Sequence, residues 1–280
     1  MRDKRVSVRG NLVRDMMQNV METSLKQPIQ SGELRKNPVE PAWICPAGYE
    51  YEIVETEQFP MEYLRPEGIF TGRVILQLHG GGYIGPMKNI YRKFAVRYSK
   101  LSFGGDVLTI DYRVAPEYPY PAALEDAVYA YKWLIQEKEY EPDHIIVAGD
   151  SAGGGLALAM VMYLRDNRLP LPGGIITMSP WTDMTNSGAS YTDNYETDPL
   201  FGNSTDNMLM QVGSYEVLLS DTLGVADKLK QAGVRRRLSV YEGMFHVFQM
   251  GLDLIPESRE AWNEVEEFLR ITYGISRKPD

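Results

Sequence analysis

The sequence predicts an α/β protein with a mostly parallel central sheet covered by helices on both faces. Two observations carry this. Short, largely apolar runs of strand length recur at 74–78, 107–110, 145–148, 175–178, 208–212 and 238–241, and segments long enough for helices alternate with them. Several of the runs are nearly continuous in β-branched and aliphatic residues, as in strands buried on both faces. At 280 residues the chain is within the range of a single α/β domain, and it contains no repeat and no low-complexity linker. One domain is therefore expected over 1–280, with an N-terminal helical region to about 45 and a core from 49 onward.

Asn11–Leu25 brings Leu12, Val13, Met16, Met17, Val20, Met21 and Leu25 close to helical spacing. Such a helix either packs on the body or forms a mobile cap, because Met-rich faces adapt to varied apolar surfaces. Tyr51–Glu55 and Met61–Leu64 read as short opening strands. Val74–Leu78, Val107–Ile110, Ile145–Ala148, Ile175–Met178, Met208–Val212 and Leu238–Tyr241 follow as buried strands. Helices are expected at Tyr91–Leu101, Ala122–Lys138, Ala152–Arg165, Thr222–Ala232 and Ser258–Ile271. Pro121 suits a first helical turn, where its missing N–H costs nothing, and Gly233 stops the helix before it. Sheets of this kind bind ligands at the carboxyl ends of their strands.

A net charge of −9 argues against non-specific binding to nucleic acid or to an anionic membrane. The single Cys45 rules out an intramolecular disulfide and a cysteine cluster for zinc, and fits a reducing compartment. Met1–Asn19 mixes basic and acidic residues without an apolar h-region, so no signal peptide is expected. No apolar stretch approaches the roughly 20 residues of a spanning helix. A cytoplasmic protein is the default expectation.

Ile145–Ala148 runs directly into Gly149-Asp150-Ser151-Ala152-Gly153, and an apolar run from Leu156 to Leu164 follows. A strand, a turn too tight for large side chains and a helix form the setting of a nucleophilic serine. Gly149 and Gly153 supply the clearance such a turn demands. A phosphate loop fits less well, because neither Gly-Lys-Ser/Thr nor G-x-G-x-x-G is present.

A serine hydroxyl needs a base within hydrogen-bond reach. The chain has three histidines, His79, His144 and His246. His144 precedes the serine's strand and falls at its opposite end. His79 opens a glycine turn, which its ring can buttress. His246 follows the last strand at the correct sheet edge, which makes it the base. An acid should lie between Ser151 and His246 in the chain, just beyond a strand. Glu216 comes first after Met208–Val212 and is preferred; Asp221, five residues later, stays the alternative and could cap the helix near Thr222. His79-Gly80-Gly81-Gly82-Tyr83, at the end of Val74–Leu78, offers backbone N–H groups to a substrate oxygen.

These motifs together resemble the hormone-sensitive-lipase-like family of α/β-hydrolases, bacterial carboxylesterases in particular. The resemblance rests on His79-Gly80-Gly81-Gly82-Tyr83, on Asp111-Tyr112-Arg113-Val114-Ala115-Pro116-Glu117 with Pro119 and Pro121, and on Gly149-Asp150-Ser151-Ala152-Gly153-Gly154. Ser179-Pro180-Trp181 and His246-Val247-Phe248 complete it, so that it runs from about Tyr49 to the C-terminus. It implies an α/β-hydrolase fold, Ser151 as nucleophile, His246 as base, and an oxyanion hole from the N–H groups of Gly81, Gly82 and Ala152. It also implies an N-terminal helical cap over the acyl-binding cleft, with no cofactor. Three departures stand out. Glu216-Val217-Leu218 replaces a common Asp-Pro-Leu, Val247 replaces a usual glycine, and Thr182–Asp206 is polar and looks shortened, which implies either a reduced cap with a more open pocket or a lost element with compromised activity.

The expectation is a serine carboxylesterase acting on small-molecule esters of short to medium chain length. The same constellation also serves amidases and lactonases, and the fold serves ligand-binding members that have lost catalysis. Tyr83, Tyr112, Trp181 and Phe248 are candidates for lining the cleft or for core packing. The last strand, Leu238–Tyr241, is the candidate edge for pairing into a homodimer.

Overall fold

The computed structural model describes residues 6–20, 40–183, 207–231 and 235–275. Strands run β1 Tyr49–Glu55, β2 Pro60–Pro66, β3 Val74–Leu78, β4 Asp106–Ile110, β5 Ile145–Asp150, β6 Gly174–Met178, β7 Asn207–Gly213 and β8 Arg235–Tyr241. Helices are α1 Val8–Val20, α2 Asn89–Leu101, α3 Ala122–Gln136, α4 Ser151–Asp166, α5 Leu219–Gln231 and α6 Pro256–Thr272. The strands form one sheet in the order β1-β2-β4-β3-β5-β6-β7-β8. β1 and β2 pair antiparallel, as do β2 and β4; every pairing from β4 to β8 is parallel.

All residues of β3, β4, β5 and β6 are buried, the polar Gln77, Asp106, Thr109, Asp150 and Thr177 included, and burial on both faces explains why the rest are small or apolar. Alternate residues serve opposite faces. Val74, Leu76 and Leu78 join α3, α4 and α5 in one apolar cluster. Ile75, Ile146, Ala148 and Ile176 join α2 and α6 in the other. The parallel order places the loops after β3, β5, β6, β7 and β8 along a single carboxyl edge.

α1 begins three residues earlier than the spacing indicates, and the part of the expected helix beyond Val20 lies outside the described residues. Val6 and Val13 pack against Tyr241, Met244, Phe245 and Phe248, and Ser7 Oγ donates to Glu257 Oε2 at 2.8 Å. The described part of α1 thus rests on the body beside the loop that follows β8. Residues 1–5 and 21–39 of the expected cap region, and 184–206 of the segment expected to be shortened, fall outside the described residues, as do Ala232 and Gly233. Pro121 occupies the N-cap of α3, one position before the first turn expected for it. β8 is an edge strand. Among the described residues no helix is long and apolar enough to cross a membrane.

Candidate active site

β5 ends at Asp150 and α4 starts at Ser151, with no loop between them. Ser151 takes φ +51, a left-handed backbone that a non-glycine residue adopts only where its surroundings impose it. The surroundings here are glycines. A Cβ on Gly149 would collide with the Gly153 carbonyl, and one on Gly153 with the Leu78 carbonyl. Strand and helix can therefore meet at this angle only with glycine at both positions.

Ser151 Oγ lies 3.0 Å from His246 Nε2. His246 Nδ1 lies 3.4 Å from Glu216 Oε2. A carboxylate only accepts hydrogen bonds, so Nδ1 carries the proton and Nε2 is left to accept from the serine hydroxyl. Glu216 is fully buried, and its Oε1 accepts the N–H of Gly213 at 2.6 Å and the hydroxyl of Ser179 at 2.7 Å. The loops carrying the acid and the imidazole also hold each other. Tyr215 N donates to Met244 O, and Gly243 N donates to Ser214 Oγ at 2.7 Å.

Asp221 is positioned differently. α5 begins at Leu219 rather than near Thr222, so Asp221 sits inside its first turn and accepts the N–H of Asp183 at 3.2 Å. Burial, reinforced by the charge of Asp183, pushes its carboxyl up to about 7. The carboxylate beside His246 is Glu216. Of the other histidines, His144 is exposed in a short 3-10 turn at the amino end of β5. His79 is fully buried and stacks on Tyr112 with ring centroids 4.2 Å apart.

The glycine turn after β3 is built for exposed N–H groups. Gly81 and Gly82 have φ +128 and +64, and Gly81 O accepts the N–H groups of Ile84 and Gly85. Gly81, Gly82 and Ala152 donate no backbone hydrogen bond among the described residues outside regular helical bonding. The residues that pin this turn were not given that role by the sequence. Asp150 Oδ1 accepts the N–H of Gly80 at 3.2 Å, and Tyr91 Oη donates to Asp150 Oδ2 at 3.0 Å. Tyr112 Oη donates to His79 O at 2.6 Å. Burial pushes the Asp150 carboxyl up to about 6, against the opposing effects of the Tyr91 hydroxyl and of His246 and His79. The GDSAG string showed the aspartate but not its partner 70 residues away.

Two of the aromatic candidates sit by the elbow. Trp181 and Tyr83 are half-buried and touch with ring centroids 5.2 Å apart, and the Trp181 ring lies beside Gly82. Phe248 is a correction: it is fully buried, packed on Tyr241 at 4.8 Å in the cluster beneath α1. The positive φ of Val247, +48, turns the chain between His246 and Phe248, so adjacency to the histidine does not carry the ring into the cleft. Tyr112 is likewise core, supporting His79. Among the described residues no three His, Cys, Asp or Glu side chains stand together as metal ligands would.

A family model described as the α/β hydrolase fold matches residues 75–205 and 190–250. The chain is 33% identical to an acetyl-hydrolase of Streptomyces hygroscopicus over 81% of its own length and 85% of that protein's. It superposes with a TM-score of 0.82 on the crystal structure of EstE5 soaked with p-nitrophenyl butyrate, at 31% identity, covering 96% of this chain and 99% of that one. An esterase from the bacterial hormone-sensitive lipase family gives a TM-score of 0.79 at 31% identity, covering 95% and 98%. By fold, by motif and by these similarities, the chain belongs to the α/β-hydrolase family, among the hormone-sensitive-lipase-like carboxylic-ester hydrolases.

Proposed function

We propose that this esterase hydrolyses short- to medium-chain carboxylic esters through an acyl-enzyme on Ser151. The observation that carries the reading is the hydrogen-bonded series from Ser151 Oγ through His246 to the buried Glu216, at 3.0 and 3.4 Å. The ester carbonyl oxygen sits against the N–H groups of Gly81, Gly82 and Ala152. Ser151 Oγ attacks the carbonyl carbon as His246 Nε2 takes its proton, and Glu216 stabilises the imidazolium that forms. The oxyanion gathers the three N–H donors, one of them at the first turn of α4, where the helix dipole also favours negative charge. His246 then protonates the leaving alcohol, and the acyl-enzyme forms. Water attacks that ester in the second half-reaction, again giving its proton to His246, and Ser151 is released with the carboxylic acid. The 3.4 Å separation at Glu216 is of the kind that tightens once substrate is bound.

Small acyl groups suit a site whose elbow is flanked by the rings of Tyr83 and Trp181. The name of the Streptomyces relative, an acetyl-hydrolase, points the same way. A p-nitrophenyl ester series from acetate to palmitate tests the assignment. We expect kcat/KM to peak between the acetate and octanoate esters and to fall at least about tenfold by palmitate, since one methylene in a pocket alters discrimination by about 1–3 kcal/mol. A peak at laurate or longer would rule the chain-length assignment out.

A further inference from the structure

Ser179-Pro180-Trp181 follows β6, and β6 lies between β5, which carries Ser151, and β7, which leads to Glu216. The bend is therefore the one segment of the carboxyl edge with a neighbour on each side of the site. Ser179 is fully buried at φ +47, a backbone conformation held here without glycine. Its N–H donates to Gln211 O at 2.9 Å, which carries the β6–β7 ladder one residue further.

Three further hydrogen bonds of this bend each end on a different part of the proposed machinery. Ser179 Oγ lies 2.7 Å from Glu216 Oε1. Val247 N, in the residue directly after His246, donates to Ser179 Oγ at 3.2 Å. Trp181 N donates to the carbonyl oxygen of Ser151 at 2.8 Å. The directions are fixed by chemistry. Val247 N–H can only donate, so it takes a lone pair of the hydroxyl; the single hydroxyl proton then goes to the carboxylate. The close approach is demanded by α4 as well. Added Cβ atoms would drive Gly154 into Pro180 and Gly155 into the Trp181 carbonyl.

We propose that Ser179 is a positioning residue for the ester hydrolysis, acting through Glu216 and through the loop that carries His246. Its hydroxyl and the Gly213 N–H hold Oε1, and this turns Oε2 toward His246 Nδ1. The same oxygen tethers Val247, whose φ of +48 sets the direction in which the chain leaves His246. One hydroxyl thereby sets acid and imidazole against each other, and the bend that bears it is bonded to the serine's own backbone. The inference rests on Glu216 and His246 acting as proposed above.

The test is a cycle of Ser179→Ala and Ser179→Gly with Glu216→Ala, read by p-nitrophenyl butyrate kinetics and thermal unfolding. Alanine removes the hydroxyl but keeps the strained backbone. Glycine also removes the hydroxyl but relieves that strain, so it keeps a folded protein in hand. Both single variants are expected to lose about 10–100-fold in kcat with KM within about twofold, the pattern of an interaction expressed in the transition state. In the Glu216→Ala background the loss on removing the hydroxyl should shrink by at least about fivefold, because residues acting as a unit are non-additive. Wild-type kcat in Ser179→Gly, or an equal fold-loss in both backgrounds, would overturn the proposal. Failure of the underlying reading looks different: Glu216→Ala would by itself retain wild-type kcat, and the role of Ser179 would fall with it.

Discussion

Replacing Ser151 by alanine is expected to lower kcat for p-nitrophenyl butyrate on the order of 10⁴-fold or more. The hydroxyl is the atom that forms the bond, and its oxygen is the one that lies 3.0 Å from His246 Nε2. Some rate above the uncatalysed reaction should survive, because the N–H groups of Gly81, Gly82 and Ala152 still bind the oxyanion formed by direct attack of water. Stability should move little. Alanine at φ +51 carries the same backbone strain as serine, and the site is 7% exposed. A variant that keeps more than about one hundredth of the wild-type rate would require a nucleophile other than Ser151.

The second large effect separates two carboxylates five residues apart. Glu216→Gln should cost roughly 10²–10⁴-fold in kcat. The amide retains the shape but neither stabilises the imidazolium nor enforces the Nδ1–H tautomer. Asp221→Asn should leave kcat within about twofold, because Asp221 bonds to Asp183 while the carboxylate against the imidazole is Glu216. Its signature is in stability. The folded carboxyl titrates at about 7 against an ordinary value of 3.8. The folded state therefore holds a proton that the unfolded chain releases, and stability is lost as pH rises from about 4 through 7. Asparagine removes the charge and keeps an acceptor for Asp183 N. The melting temperature should rise by roughly 2–4 °C at pH 8 and by progressively less as pH falls toward 4. Inactivity of Asp221→Asn with activity in Glu216→Gln would exchange the two roles.

The strands were legible wherever both faces are buried. Val74–Leu78 is read with the ends it has in the structure, because a short aliphatic run broken only by Gln77 fits a strand buried on both faces. Helix starts were read late, α3 at Ala122 excepted. Leu219, Ser220 and Asp221 carry no periodic signal, yet they form the first turn of α5, and so Asp221 looked like a cap. Ser151, His246 and Glu216 were legible because each must follow a strand at the same edge, and that constraint is one of chain order. Asp150 and Ser179 were not read as parts of the site, since their partners stand 70 and 37 residues away and only the packed sheet brings them near. Phe248 was misjudged for a local reason. Sequence adjacency to His246 says nothing of the left-handed turn at Val247 that sends the ring into the core.

The central claim is that the ester bond is exchanged for one to Ser151 Oγ. It is tested most directly by treating the full-length enzyme with a fluorophosphonate and locating the adduct by peptide mass. One adduct per chain is expected on the peptide carrying Ser151, none there in Ser151→Ala, and labelling slowed by orders of magnitude in His246→Ala. An enzyme that hydrolyses esters yet takes up no adduct, or takes it up on a residue other than Ser151, would contradict it.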